Sequence, residues 1–209
     1  MKIGILKETR EFENRISVSV ETVKKLVASN HSVFIEPRAG SESYTSDEEF
    51  IASGAQINLD LSNVDLIFKV NPPNNSELEK IKDNSTIISF FQIKDELENI
   101  QSYINKKLTV FSMSHIPRTT LAQNMDALSS QSNIAGYKAV VIGADHISKY
   151  MPLLMTAAGT IQPAKVLILG AGVAGLAAIA TAKRLGAQVF AFDVRPVVKE
   201  QVESLGAKF

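Results

Sequence analysis

A glycine-rich segment between two short apolar runs constrains this sequence more than any other feature. Residues 166–169 are apolar and lead directly into Gly170, Gly172 and Gly175, which form a G-x-G-x-x-G arrangement. In such an arrangement the first glycine permits a tight turn and the second lets a diphosphate approach bare backbone, while the third lets helix and strand pack closely. The following helix N-terminus supplies partial positive charge. The pattern predicts a strand–turn–helix unit that binds a dinucleotide.

The second apolar run ends in an acidic residue that bears on the choice of nucleotide. Asp193 lies 18 residues after Gly175, where a carboxylate would accept hydrogen bonds from the hydroxyls of an adenosine ribose. The same carboxylate would repel the 2′-phosphate of NADP. Arg195 leaves NADP possible, because arginine can bind that phosphate. The sequence therefore favours NAD and keeps NADP as the alternative.

The long uncharged stretch around the glycines also raises the possibility of a membrane span. The stretch between Lys165 and Lys183 holds 17 residues without a charge, fewer than the roughly 20 that a bilayer requires. Its glycines cluster at one turn, and buried parallel strands also give continuous apolar runs. We therefore predict no direct insertion into a membrane.

Composition excludes several classes of function. The chain has 209 residues, with 22 basic and 22 acidic side chains and no cysteine. This balance does not favour nucleic acid as a partner, and the absence of cysteine excludes disulfides and fits a reducing compartment. No residue pattern suggests a metal site. The N-terminus begins as a strand without the features of a secretory signal, so we expect a cytoplasmic protein.

Alternating strand and helix patterns predict an α/β protein with parallel sheets. We expect a flavodoxin-like doubly wound domain over residues 1–122, a connecting helix over 123–150 and the N-terminal portion of a Rossmann dinucleotide-binding domain over 151–209. Capping boxes are expected at Ser46 with Glu49 and at Ser76 with Glu79. Gly136 interrupts the long helical segment, and residues 151–163 are interpreted as a loop.

The predicted Rossmann domain is incomplete in this sequence. Only two of its six strands are encoded, and residues 206–209 are interpreted as the approach to a third. We therefore expect the chain to be a fragment of a longer protein, truncated at its C-terminus.

A polar cluster precedes and enters the long helical segment. Gln123, Asp126 and Ser129 recur every three residues, so on a helix they would form one polar stripe. Arg118 follows Pro117 just upstream. Together these groups provide donors and acceptors that could hold a nicotinamide carboxamide. The alternative is a connecting helix with a solvated polar stripe and an Arg–Asp ion pair. The residues alone leave both interpretations open.

Several segments resemble one enzyme family. Residues 2–8, Asn14 with Arg15, and residues 36–40 resemble the N-terminal domain shared by alanine dehydrogenases and nicotinamide nucleotide transhydrogenases. Residues 116–136 resemble the signature of the NAD(H)-binding domain I of proton-translocating transhydrogenase α subunits. The segments 156–160, 193–196 and 199–203 also fit that family, so the resemblance covers essentially the whole chain.

The resemblance implies roles for individual residues. It places Arg118, Gln123, Asp126 and Ser129 on the nicotinamide side, although Thr119 and Leu121 depart from the commoner residues beside that arginine. On the adenosine side it places Val173 in the glycine turn, Asp193 on the ribose hydroxyls and Arg195 beside the adenine.

The resemblance also implies an activity and partners. The family's α subunit binds NADH and passes hydride to NADP⁺ held by a partner β subunit, and the transfer is coupled to proton movement through a membrane-spanning portion. We therefore expect a homodimer that is peripheral to the inner membrane through its partners.

Two other functions stay open at this point. In an alanine dehydrogenase, Arg15 and Lys69 would align with the substrate-binding arginine and lysine, but the catalytic histidine expected in residues 89–94 is absent. Without that histidine, we expect both to be structural residues whose charges cap or bridge the first domain. The three histidines, His31, His115 and His146, are scattered. A non-catalytic NAD-binding module is the other alternative.

Overall fold

The computed structural model describes residues 1–209 as two compact units, Met1–Met125 and Asp126–Phe209. The first is an α/β unit and confirms the predicted alternation of strands and helices. None of the helices combines the length and the apolar character that crossing a bilayer demands.

The first unit contains one parallel five-stranded sheet with the order β2-β1-β3-β4-β5. This order is the flavodoxin-like one, so the predicted fold class is confirmed. The elements are β1 (Lys2–Ile5), α1 (Val20–Ala28), β2 (Ser32–Ile35), α2 (Asp47–Ala52), β3 (Leu66–Phe68), α3 (Asn75–Lys80), β4 (Thr86–Ser89), α4 (Ile100–Asn105) and β5 (Thr109–Ser112).

Apolar side chains fill both faces of this sheet. Ile5 and Ile35 pack with Val23 of α1 on one face. On the other face, Ile67 and Ile87 belong to the cluster that includes Leu78 of α3. Burial on both faces explains why these strands read as continuous apolar runs in the sequence.

Helix starts in this unit confirm one predicted cap and correct another. Ser46 and Glu49 form the expected capping box at the start of α2. The box predicted at Ser76 is wrong, because Asn74 is the N-cap of α3 and the Glu77 side chain accepts a hydrogen bond from the Asn74 N–H. Asparagine is as good an N-cap as serine, and Ser76 instead donates its hydroxyl to the Asn74 side chain.

The second unit begins with a long helix and continues into a small parallel sheet. Its elements are α5 (Ala127–His146), β6 (Leu154–Thr156), β7 (Gly159–Ile161), β8 (Lys165–Leu169), α6 (Val173–Arg184), β9 (Gln188–Phe192) and α7 (Lys199–Ser204). Strands β8 and β9 pair in parallel, and Lys208 bridges Phe190 on the far side of β9. The predicted approach to a third strand is thus confirmed as a single parallel bridge, on the side of β9 where the first half of a Rossmann sheet has its next strand.

One segment of this unit differs from the sequence prediction. Residues 151–163 are not a plain loop, because β6 and β7 pair as an antiparallel hairpin within them. Gly159 has a φ of +140° at the turn, a conformation that favours glycine. Each strand has three residues, which is too short for a periodic pattern to be recognised.

Helix α5 passes through Gly136 without interruption and packs along α6. Gly136 lies against Ala174 near the start of α6, and Ala144 borders the same cavity as Arg184 and Leu185 at its end. The two helices therefore run parallel. The helix interpreted as a connector is, by its packing, part of the second unit.

Candidate functional site

The glycine turn joins β8 to α6 in the conformation that the sequence predicts. Gly170 has a φ of +94°, which glycine adopts without the strain that a side chain would cause. Its N–H donates to the Phe192 carbonyl, 2.7 Å away. The tight turn expected at the first glycine is confirmed.

The other two glycines serve different purposes. A Cβ on Gly175 would lie 1.8 Å from the Gly170 carbonyl oxygen, so the third glycine permits close packing of helix on strand, as predicted. A Cβ on Gly172 would meet no atom within 4 Å. The protein itself therefore does not require glycine at position 172, and the open space lies over the helix start.

Backbone donors face this open space at the start of α6. Gly172 is the N-cap and has no side chain to accept from the first N–H groups of the helix. Such groups are left without partners inside a helix and bind anions together with the helix dipole. Val173, the first residue of α6, is 38% exposed. The partial positive charge of the helix start suits an anion, and Gly172 leaves its approach open.

Asp193 links the end of β9 to the glycine turn. Its Oδ2 accepts a hydrogen bond from the Ala171 N–H at 2.7 Å, and its Oδ1 accepts from the Arg195 N–H at 2.8 Å. The Arg195 side chain also donates Nε to Oδ1 at 2.9 Å and Nη2 to Oδ2 at 3.0 Å. The sequence pointed to Asp193 and Arg195 but not to their pairing, and nothing in it singled out Ala171.

These contacts fix the charge of the Asp193 carboxylate. The Arg195 side chain, with the N–H groups of Ala171 and Arg195, holds the pKa of Asp193 well below its usual range. The Asp193 side chain is 6% exposed and the Arg195 side chain 57% exposed. The carboxylate is thus a fixed anion beside the turn, and its cation is at the surface, where it can change partner.

Two members of the polar cluster meet at the start of α5. Asp126 is the N-cap, and its carboxylate accepts from the Ser129 N–H at 2.9 Å and from the Ser129 hydroxyl at 2.6 Å. Helices commonly start with such a cap. The Asp126 carboxylate therefore has a structural role in addition to any role toward a ligand.

The remaining two members lie in the first unit. Gln123 belongs to the 3₁₀ segment Thr120–Met125, and Arg118 precedes that segment; both are exposed. The prediction of one helical stripe through Gln123, Asp126 and Ser129 is therefore wrong. The physical reason is the cap, because α5 begins only after Asp126.

The start of α5 extends beyond the glycine turn. Asp126 lies ten residues before Gly136, whereas Gly172 lies two residues before the Ala174 that Gly136 contacts. At 1.5 Å per residue, parallel packing places the start of α5 roughly 12 Å past the start of α6. Asp126 and Ser129 thus lie on the side from which a ligand would approach the uncapped N–H groups.

The two cations considered for an amino-acid substrate already have carboxylate partners. Lys69 is 2% exposed, and its Nζ lies 3.3 Å from Glu77 and 3.7 Å from Glu8. Arg15 donates Nε and Nη2 to Glu13 at 2.7 and 2.6 Å. This agrees with the structural role expected for both residues.

Comparison with known proteins identifies the family to which this architecture belongs. The family model described as the alanine dehydrogenase/PNT N-terminal domain matches residues 4–135, and the corresponding C-terminal domain matches residues 139–209. The chain belongs to the alanine dehydrogenase/PNT family.

Within the alanine dehydrogenase/PNT family, the transhydrogenase branch is the more similar. The first part of the NAD(P) transhydrogenase subunit alpha of Rhodospirillum rubrum is 45% identical, over 100% of this chain and 57% of the relative. Alanine dehydrogenase 2 of Staphylococcus aureus is 32% identical, over 98% of this chain and 56% of the relative. The chain thus spans little more than half the length of these relatives.

A solved structure gives the same result for the fold. The transhydrogenase of Sinorhizobium meliloti is 44% identical, with a TM-score of 0.97, and the match covers 100% of this chain and 64% of the other. The α/β architecture described above is therefore the one found in that enzyme.

Proposed function

We propose that this chain is the NAD(H)-binding part of the α subunit of a proton-translocating NAD(P)⁺ transhydrogenase. In this proposal, NADH bound to the chain passes hydride to NADP⁺ on a partner subunit. The chain is catalytic only together with that partner.

The observation that carries the proposal is the open glycine turn. Gly172 leaves space that a Cβ would otherwise fill, and it lies beside the uncapped N–H groups of α6. Gly170 and Gly175 give the turn its shape. The diphosphate of NADH would lie over Gly172, with Val173 alongside it.

Asp193 would hold the adenosine ribose. Its carboxylate can accept from both ribose hydroxyls when Arg195 releases part of its present contact, and Arg195 would then lie beside the adenine. A 2′-phosphate would meet the fixed negative charge of Asp193 instead. This supports NAD over NADP on this chain, and in the proposal the partner binds NADP.

Arg118, Gln123, Asp126 and Ser129 would orient the nicotinamide ring. When bound, NADH supplies the hydride itself, so the chain needs no general acid or base at the reacting carbon. Its residues contribute alignment, on which transfer between two rings depends steeply. The position of Asp126 and Ser129 beyond the glycine turn supports this role.

The assembly follows from the proposed activity. We propose a homodimer that binds an NADP-binding β subunit and a membrane-spanning subunit or domain. The chain would then be cytoplasmic and peripheral to the inner membrane through these partners. It carries no nucleic-acid site in this proposal.

An alanine dehydrogenase is the second candidate, since Arg15 and Lys69 are both present. Two observations oppose it: both cations are bound to carboxylates, and residues 89–94 contain no histidine. The test supplies pyruvate, ammonia and NADH to the full-length protein. We expect no oxidation of NADH, and rapid turnover would select the alanine dehydrogenase.

Two variants distinguish a transhydrogenase from a non-catalytic NAD-binding module. Asp126→Asn keeps a good N-cap and removes the charge, and Gln123→Ala removes the amide. We expect both variants to lose hydride transfer to NADP⁺ far more than NADH affinity. Wild-type protein that binds NADH but transfers no hydride, with its partner subunit present, would identify a binding module.

A further inference from the structure

Of the two glycines in α5, Gly136 is the one that lies against α6. A Cβ at this position would lie 2.0 Å from the carbonyl oxygen of Ala174 and 2.8 Å from its carbonyl carbon. A Cβ on Gly143, seven residues further along α5, would meet nothing within 4 Å. Packing therefore requires glycine at position 136 but not at position 143.

The atoms that Gly136 faces belong to the first turn of α6. Ala174 is the second residue of that helix and follows directly on Gly172 and Val173. Its carbonyl is backbone and cannot rotate away as a side chain would. The contact thus fixes α5 against the same turn of backbone whose N–H groups would bind the diphosphate.

We propose that Gly136 is a positioning residue that sets the distance between the glycine turn and the start of α5. The inference rests on the function proposed above. Because the two helices run parallel, the contact at Gly136 determines where Asp126 and Ser129 lie beyond Gly172. Bare backbone at this point brings them within reach of the nicotinamide end of a dinucleotide held at the turn.

The size of the effect follows from the contact distances. Ordinary van der Waals contact begins at 3.4 Å, so a Cβ at 2.0 Å from the Ala174 oxygen must move away from it by about 1.4 Å to reach that contact. Functional groups must be held within about 0.5 Å of their productive positions. A displacement of about 1 Å can lower a reaction rate by about 100-fold.

The test compares Gly136→Ala with Gly143→Ala in the full-length protein with its NADP-binding partner. NADH and ADP-ribose affinities are measured by titration, and hydride transfer is measured in a single turnover. For Gly136→Ala we expect transfer to fall by about 100-fold, whereas ADP-ribose affinity stays within about threefold because the glycine turn is intact. The ratio of NADH to ADP-ribose affinity falls as nicotinamide contacts are lost.

The control isolates the contact from helix propensity. Alanine is the better helix former, so Gly143→Ala should leave both affinities and the transfer rate unchanged. Val140→Ala, which removes buried packing in the same core without forcing the helices apart, should lower stability and leave the affinity ratio unchanged. A lower ratio in Gly136→Ala alone supports positioning.

Two outcomes would overturn the inference. One is an unchanged ratio and transfer rate in Gly136→Ala, and the other is an equal loss of NADH and ADP-ribose affinity, which would indicate a merely structural role. Should Gly136→Ala fail to fold, Ala178→Val enlarges a buried residue one turn further along α6 and must lower the same ratio. Wild-type protein that binds neither ligand would refute the proposed function instead.

Discussion

Replacement of Gly172 by alanine separates ligand binding from folding at the glycine turn. The added Cβ meets no protein atom within 4 Å, and the backbone, at φ −81° and ψ −167°, is extended and accessible to alanine. We therefore expect the free energy of unfolding to change by less than about 1 kcal/mol.

The same methyl group would stand where the diphosphate must lie. A hydrogen bond from a backbone N–H needs about 2.7–3.2 Å between nitrogen and oxygen, whereas a Cβ keeps its neighbours at 3.4 Å or more. Loss of two charge-assisted hydrogen bonds at about 1.5–3 kcal/mol each amounts to about 3–6 kcal/mol. NADH affinity should therefore fall by roughly 10²–10⁴-fold.

Gly175→Ala is the matched variant for the assay. Its Cβ would lie 1.8 Å from the Gly170 carbonyl oxygen, so we expect a loss of at least about 2 kcal/mol of stability and a Tm lower by about 4–8 °C. Thermal unfolding without ligand and titration with NADH are measured on both variants. Retention of wild-type NADH affinity by a folded Gly172→Ala protein would refute the assignment of the diphosphate to this turn.

Three further changes probe the charges. Asp193→Asn removes the ribose acceptor's charge and frees Arg195, so paired titrations should show weaker NADH binding and a shift of preference toward NADPH; an unchanged preference would contradict the role of Asp193. Lys69→Met leaves Glu8 and Glu77 buried without their cation and should lower the free energy of unfolding by about 3–5 kcal/mol. A change in urea midpoint equivalent to less than about 1 kcal/mol would count against these ion pairs. Hydrogen bonds from Arg15 lower the pKa of Glu13 from 4.5 to about 2, so the contribution of Glu13 to stability is present above pH 4.5 and is lost as the pH falls toward 2. The difference in unfolding free energy between wild type and Glu13→Gln, about 1 kcal/mol after solvent screening, should therefore shrink over that range. A constant difference would contradict the pairing.

Local patterns in the sequence predicted most of the fold. Alternating apolar runs indicated the parallel sheet of the first unit, and the Ser46–Glu49 pair indicated the start of α2. The start of α3 was misplaced because Asn74 and Ser76 are both good caps. Propensity alone does not decide between two such residues.

The parts that the sequence did not predict depend on contacts between distant segments. Gly136 suggests an interrupted helix when its neighbours in sequence are considered, but its role depends on Ala174, 38 residues away. The pairing of Asp193 with the Ala171 N–H also joins two segments that are separated in the sequence. At the glycine turn, by contrast, the chemistry is local, and the sequence predicted the geometry at Gly170 and Gly175.

Transfer of deuterium between the two nucleotides is the decisive measurement for the proposed function. The full-length protein, with its NADP-binding partner, is given NADH deuterated at the transferring position and NADP⁺. We predict NADPH that carries the deuterium, because no protein group or water takes part at the reacting carbons. Absence of transfer in protein that binds both nucleotides, or NADPH that has acquired solvent hydrogen, would contradict direct hydride transfer.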